Sequence, residues 1–251
     1  MQLTRHWWSH NMWINALAGG GTIPKVPTAS LLCHFNGTDT STTITDEYGN
    51  SCTAQGNAQI DTAQSKFSGA SLELDGTGDY VDAVSFDAAT PGSSDWLIEY
   101  WIRPDINNAL KCIASKRTNT TSNGGMAFYV TALGFLYIQT WNASAVSSLV
   151  LVGDINITTA TWHHVAALKV GATWGVLLDG VVDATGTESD VAGTAGTEVF
   201  RIGRDAGNTA RDFDGHIDEG RIVKGTEVAG IYPNDLTSLV YDVPVSPFEK
   251  G

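Results

Sequence analysis

The sequence predicts an all-β protein, a two-sheet antiparallel sandwich preceded by an extended N-terminal arm. Three observations predict it. Val, Ile, Thr and aromatic residues sit in short runs between Gly and Asn/Asp clusters, the texture of strands and turns. Several of those runs alternate in polarity with period two. Turn signals recur at a spacing of roughly ten residues, as in sandwiches and barrels. No segment of helical period is long enough to alternate with the strands, which argues against an α/β fold. With 251 residues, 42% of them hydrophobic, the chain can enclose a sizeable core.

Residues 1–29 read as the arm. Trp7, Trp8 and Trp13 come first, then Gly19-Gly20-Gly21, then Pro24 and Pro27. The glycines interrupt regular structure and the prolines favour an extended path. Three tryptophans in thirteen residues are too apolar for a free, solvated tail. They either fold back onto the sandwich or dock into a partner, large aromatics being preferred interface anchors.

Residues 30–251 read as one sandwich domain. In 96–103, residues 96, 98, 100 and 102 are apolar and share one face, while Leu97, Glu99, Trp101 and Arg103 share the other. This predicts a strand with one buried face. Further strands are expected at 126–130, 135–140, 148–152, 162–169, 174–179, 199–203 and 216–223. Turn signals separate them at Asn123-Gly124-Gly125, Gly153-Asp154, Gly171, Asp179-Gly180 and Gly207-Asn208. Asp-Gly supplies the positive φ values of a tight hairpin, so 174–185 predicts a hairpin turning at Asp179-Gly180. The tail, from about Thr226, ends in VPVSPFEKG, whose prolines and aromatic predict an extended strip packed on the sandwich.

The net charge of −13 is unevenly placed. Residues 1–29 hold Arg5 and Lys25 and no acid, so they carry +2 and leave −15 on the remainder. An acidic body repels nucleic acid, which argues against DNA or RNA as a partner. Acid-rich loops suit either bound Ca²⁺ or a solubilising surface. No stretch reaches the ~18 apolar residues of a membrane helix. The first 21 residues lack the continuous apolar run of a signal peptide, so synthesis in a cytoplasm without export by that route is expected. Cys33, Cys52 and Cys112 are odd in number and form no CxxC, leaving open a Cys33–Cys52 bridge or free buried thiols.

Five stretches follow one another in a telling order. They are LLCHFNGTDTSTTITDEYGN, AQSKFSGASLELDGTGDYVD, DWLIEYWIRPD, TWHHVAALKVGATWGVLLDGVV and FRIGRDAGNTARDFDGHIDEGRIVKG. Together, over about 30–248, they resemble laminin-G-like jelly rolls of the concanavalin A-like type. Two positions depart from that pattern. Asn36 stands where Asp is usual, and Gly220 where Val is common, which costs packing or marks a bulge. The combination is most similar to versions carried by tailed-phage virion proteins. That resemblance implies a non-enzymatic structural protein, either a capsid decoration on the head or a tail- or fibre-associated component. It would be present in many copies or as a homo-oligomer, docked through Trp7, Trp8 and Trp13 to other capsid or tail proteins. Weak affinity for cell-surface glycans would gain from avidity. A reading from a different class is a Ca²⁺-dependent carbohydrate-binding module of a secreted or surface protein, and a third is a glycoside hydrolase.

The residues discriminate among these readings. Laminarinase-type hydrolysis needs clustered acids, Glu-x-Asp-x-x-Glu, with acid and nucleophile about 5 Å apart. The nearest match, Glu188-Ser189-Asp190, lacks the third acid and sits in a Thr/Gly-rich stretch. His163 and His164 are adjacent on a strand, so they point to opposite faces and cannot chelate one ion; one ring is expected in the core. No HExxH, Gly-x-Ser-x-Gly or Walker loop occurs. A structural Ca²⁺ would draw on Asp75, Asp79 and Asp218 with loop carbonyls near Asn36. The alternative there is an Asp-Gly turn plus a buried salt bridge from Asp218 or Glu219 to Arg103, Arg201 or Arg221. A glycan platform would use Trp141 and Asn142, with Tyr137 and Gln139 on the same face, or else Trp174, although aromatics at strand spacing are more often core.

Overall fold

A computed structural model describes residues 29–83, 92–117, 125–142, 146–188, 198–232, 236 and 242–251. Trp7, Trp8 and Trp13 therefore lie outside the described residues. The strands in chain order are β1 (Leu31–Cys33), β2 (Thr43–Thr45), β3 (Ser51–Gln55), β4 (Gln59–Asp61), β5 (Ser71–Asp75), β6 (Tyr80–Ala83), β7 (Trp96–Pro104) and β8 (Lys111–Lys116). They continue as β9 (Gly125–Val130), β10 (Leu136–Trp141), β11 (Ser147–Val152), β12 (His163–Val170), β13 (Thr173–Leu178), β14 (Val181–Thr187), β15 (Phe200–Ile202) and β16 (Asp214–Lys224). One short helix, α1 (Val228–Ile231), follows. Sheet A has the order β14-β13-β12-β7-β16-β5-β4, with β1 also on β16. Sheet B has the order β11-β10-β9-β8-β15-β6-β3-β2. The two antiparallel sheets stack as a jelly-roll sandwich, the all-β architecture that the alternating runs predict.

Period-two alternation builds the core between the sheets. Trp96, Ile98, Tyr100 and Ile102 of β7 and Val165 and Ala167 of β12 meet Phe128 and Ile138 of sheet B. Each Ile, Val or Phe among them contributes ~1.5–3 kcal/mol when fully buried. The β12–β13 hairpin is followed by a two-residue turn in which Asp179 and Gly180 take φ values of 49° and 80°, as a type I′ turn needs.

One expectation is corrected. The strand at 96–103 is buried on both faces, for Leu97, Glu99 and Trp101 are covered as fully as Trp96 or Ile98. The cause is a third layer. Leu97, Leu168, Leu177 and Val223 on the outer side of sheet A pack under Val228, Tyr232, Leu236 and Phe248. Residues distant in the sequence cover that face, and local alternation carries no sign of them.

β16 organises the closing edge. Its Asp214–Ile217 half pairs with β5 and its Gly220–Ile222 half with β1. Between the halves the register to β7 shifts, and Glu219 takes a φ of 48°. A Cβ at Gly220 would overlap the Tyr100 ring, so the glycine marks a bulge where a valine could not fit.

Candidate functional site

The outer face of sheet A is roofed over Leu97, Leu168, Leu177 and Val223, whereas the outer face of sheet B carries aromatic and charged side chains. Tyr80 and Asp82 of β6, Arg201 of β15, Tyr129 of β9 and Tyr137, Gln139 and Trp141 of β10 alternate with core residues and so point to it. The loop after β15 folds back over this face. Its Asp205 is fully buried and accepts from Tyr129 O–H at 2.9 Å and from Arg211 Nη1 at 2.8 Å. The Tyr129 and Tyr137 rings stack at 5.2 Å. Burial raises both phenols above the ordinary tyrosine value, so both remain O–H donors at neutral pH. Tyr137 donates to Gln139 Oε1 at 2.6 Å.

Arg117, just past β8, lays its guanidinium over the Trp141 ring at 4.0 Å. The other flank of that guanidinium lies against Gly207, where a Cβ would collide with it. Beyond Arg117 the face opens into a cavity of about 330 Å³ lined by Tyr80, Glu198, Arg201, Arg204 and Thr209. Arg204 stacks on Tyr80 at 4.0 Å and donates through Nε to Asp212 at 2.8 Å, a bond that raises the pKa of Arg204. Arg201 Nε donates to Asp82 at 2.9 Å. Arg117, Arg201, Arg204 and Arg211 thus gather four of the chain's seven arginines on one acidic body. Each guanidinium carries five N–H donors, more than its partner acid uses. The arrangement is a rigid row of aromatic faces and oriented polar groups. Such a surface can stack on and hydrogen-bond to a polar ligand.

A family model described as the concanavalin A-like lectin/glucanases superfamily matches residues 75–226. The chain belongs to this superfamily. Among curated proteins none matches the chain in sequence. Solved structures share the fold. Domain 4 of AbnA, a GH43 extracellular arabinanase from Geobacillus stearothermophilus solved with arabinotriose, is 18% identical with a TM-score of 0.59, covering 85% of this chain and 100% of that one. The binding domain of Paraclostridial Mosquitocidal Protein 1 is 14% identical with a TM-score of 0.62, covering 81% of this chain and 51% of that one. The botulinum neurotoxin serotype D binding domain is 12% identical with a TM-score of 0.58, covering 79% and 48%. The chain therefore spans about half of each toxin domain.

Within this lectin/glucanase sandwich the sequence-derived sites fare differently. Tyr137 and Trp141 lie on one face, as their spacing predicts, and Asn142 continues past them, its Oδ1 accepting from Val146 N at 3.1 Å. Trp174 is fully buried against Trp96 and is core. The residues that sequence reasoning missed are Tyr80, Tyr129 and the arginines. The available signal was Arg201, Arg204 and Arg211 falling within eleven residues of an acidic chain.

The calcium set is corrected. Asp75 and Asp79 are neighbours, but Asp218 is not with them. Asp214 is the β16 residue opposite Asp75, and Asp218 is four positions further along, on the order of 13 Å away. The acids are also turned toward protein donors. Asp79 accepts from Asn57 N and Asp75 N, and Asp75 from Thr77 N and Asn57 Nδ2. Asp218 accepts from Lys66 N, Phe67 N and Glu219 N. Among the described residues no three His, Cys, Asp or Glu side chains are placed to hold a metal. The expected arginine partner is corrected as well. Arg221 pairs with Glu99, while Glu219 bonds His34 Nδ1 at 2.9 Å, raising the pKa of His34.

Of the hydrolase motif, Glu188 is buried and accepts from Thr140 Oγ1 at 2.8 Å and from Ser148 Oγ; Ser189 and Asp190 lie outside the described residues. His163 and His164 face opposite sides of sheet A. His163 meets Asp179 Oδ2 at 2.7 Å on one side, and His164 meets Glu99 Oε2 at 3.0 Å on the other.

Proposed function

We propose that this chain is a non-enzymatic glycan-binding protein that meets its ligand on the outer face of sheet B and serves as a structural component of a tailed-phage virion. The observation that carries the binding reading is the continuous run from Tyr137 and Trp141 through Arg117 into the cavity of Tyr80, Arg201 and Arg204. Sugars offer apolar ring faces and a rim of hydroxyls, and this surface offers aromatic walls and fixed donors and acceptors. The arm 1–29 is read as the anchor to other capsid or tail proteins through Trp7, Trp8 and Trp13, the aromatic type that fills interface pockets. Display in many copies would turn weak sugar affinity into useful avidity.

The test is an oligosaccharide array, with arabinotriose among the probes, followed by calorimetric titration of hits. Trp141→Ala and Arg117→Ala are each expected to weaken binding at least about tenfold, roughly 1.4 kcal/mol, with a melting temperature close to that of the parent chain. Binding is expected to survive chelator, because among the described residues no three His, Cys, Asp or Glu side chains are grouped to hold a metal. Loss with chelator would favour the Ca²⁺-dependent carbohydrate-binding module. An array without hits, or variants that bind like the parent, would defeat the glycan reading. Deleting 1–29 should leave a folded body that no longer joins virions; a body that unfolds would defeat the anchor reading.

A further inference from the structure

We propose that Cys33 and Cys52 form an oxidisable pair that a low-molecular-weight disulfide converts into a covalent link between the two sheets. The thiols sit on strands of different layers. Cys33 belongs to β1 in sheet A, points into the inter-sheet core and is fully buried. Cys52 belongs to β3, one strand from the edge of sheet B, and is partly exposed while packing against the same core. Their sulfur atoms lie 4.0 Å apart. A disulfide needs about 2.05 Å, so the sulfurs must close by about 2 Å, within reach of small side-chain rotations.

The local chemistry distinguishes the two thiols. The hydrogen bond between them lowers the pKa of Cys52 and raises that of Cys33, which burial raises further. Cys52 is thus the more accessible thiol and the one that ionises first, and Cys33 is its enclosed partner. The Cys52 thiolate attacks one sulfur of the reagent, its S–S bond breaks, and one reagent thiolate leaves. Cys33 then loses its proton and attacks the Cys52 sulfur of the mixed disulfide, expelling the second reagent thiolate. Two protein thiols are oxidised, one reagent disulfide is reduced to two thiols, and the two protons pass to those thiols. Cys112 serves as an internal contrast, since it packs beside Tyr129 and Ala127 on the outer side of sheet B.

The link would close a ring over residues 33–52. It would tie the short strand into which the arm leads directly to the layer that β1 does not pair with. A pull on the arm would then reach both sheets through a covalent bond and not only through β1–β16 hydrogen bonds.

The experiment treats the full chain with oxidised glutathione at mildly alkaline pH and reads intact mass, peptide map and thiol titration under denaturant. The expected result is loss of the mass of two hydrogen atoms, a Cys33–Cys52 peptide pair and a single remaining titratable thiol. The melting temperature should rise by about 5–10 °C. Cys52→Ser should abolish the mass change and the rise. Cys112→Ser should keep both, which separates pair chemistry from any general cost of removing a thiol. A persistent glutathione adduct on Cys52, or three thiols still titrating, would overturn the proposal.

Discussion

Glu99 is fully buried on the outer side of sheet A. It accepts from Arg221 Nε at 2.5 Å and from Tyr232 O–H at 3.0 Å, with His164 Nε2 at 3.0 Å. Burial pushes its carboxyl up, but the Arg221 guanidinium and the His164 imidazole outweigh that and hold it at about 2. An acid whose folded pKa lies below its unfolded value of 4.5 contributes stability that is present above pH 4.5 and is lost as the pH falls toward 2. Glu99→Gln leaves Arg221 buried without its counter-charge, so a loss of about 3–5 kcal/mol is expected in urea unfolding at neutral pH. The variant should also show a shallower decline below pH 4.5 than the parent chain. The sequence placed Glu99 on the correct face of its strand, but its burial was illegible because the roof over it comes from Tyr232 and Phe248.

That roof is the element on which the third layer depends. Phe248 donates its backbone N–H to Glu219 Oε2 at 2.8 Å and lays its ring 4.1 Å from the Arg221 guanidinium, while Val245 in the same strip is 90% exposed. Phe248→Ala should cost about 3 kcal/mol, whereas Val245→Ala should fall within ~0.5 kcal/mol of the parent; matched denaturation curves check both. Elements with a signature of their own were legible in the chain. β7, β10, β12 and the Asp179-Gly180 turn announce themselves by alternation and by Asp-Gly. β2 and β4, three residues each, carry too little pattern to be seen without their partners. The candidate site divides along the same line. Tyr137 and Trp141 were legible because period two places them together. Arg204 and Arg211 reach the face only because a loop folds across β8 and β9. The calcium trio failed because the closeness of Asp75 and Asp79 in sequence says nothing about which residue of β16 lies beside them.

At the scale of the whole molecule, two buried acids oppose each other. Burial pushes the Asp218 carboxyl up to about 7 against the pull of its backbone N–H donors. Between its unfolded value of 3.8 and that folded value the native state holds a proton that the unfolded chain has lost, so this contribution falls as the pH rises through the window. The self-repulsion of a chain carrying −13 grows in the same direction. Global stability should therefore peak near about pH 4, where the rising limb of Glu99 and the falling limb of Asp218 cross. Urea unfolding from pH 3 to 8 checks it, and Asp218→Asn should flatten the decline between about pH 4 and 7. An unchanged slope would show that the carboxyl is ionised throughout. The order of assembly is also constrained. β1, the first of the described strands, finds its strand partner in β16, and Leu97 and Leu168 pack under residues from Val228 onward. A growing polypeptide on the ribosome consequently carries an unfinished, greasy panel until the codons for Val228 through Phe248 have been read. Chaperone protection during synthesis, or release before compaction, follows from where that panel's cover is encoded.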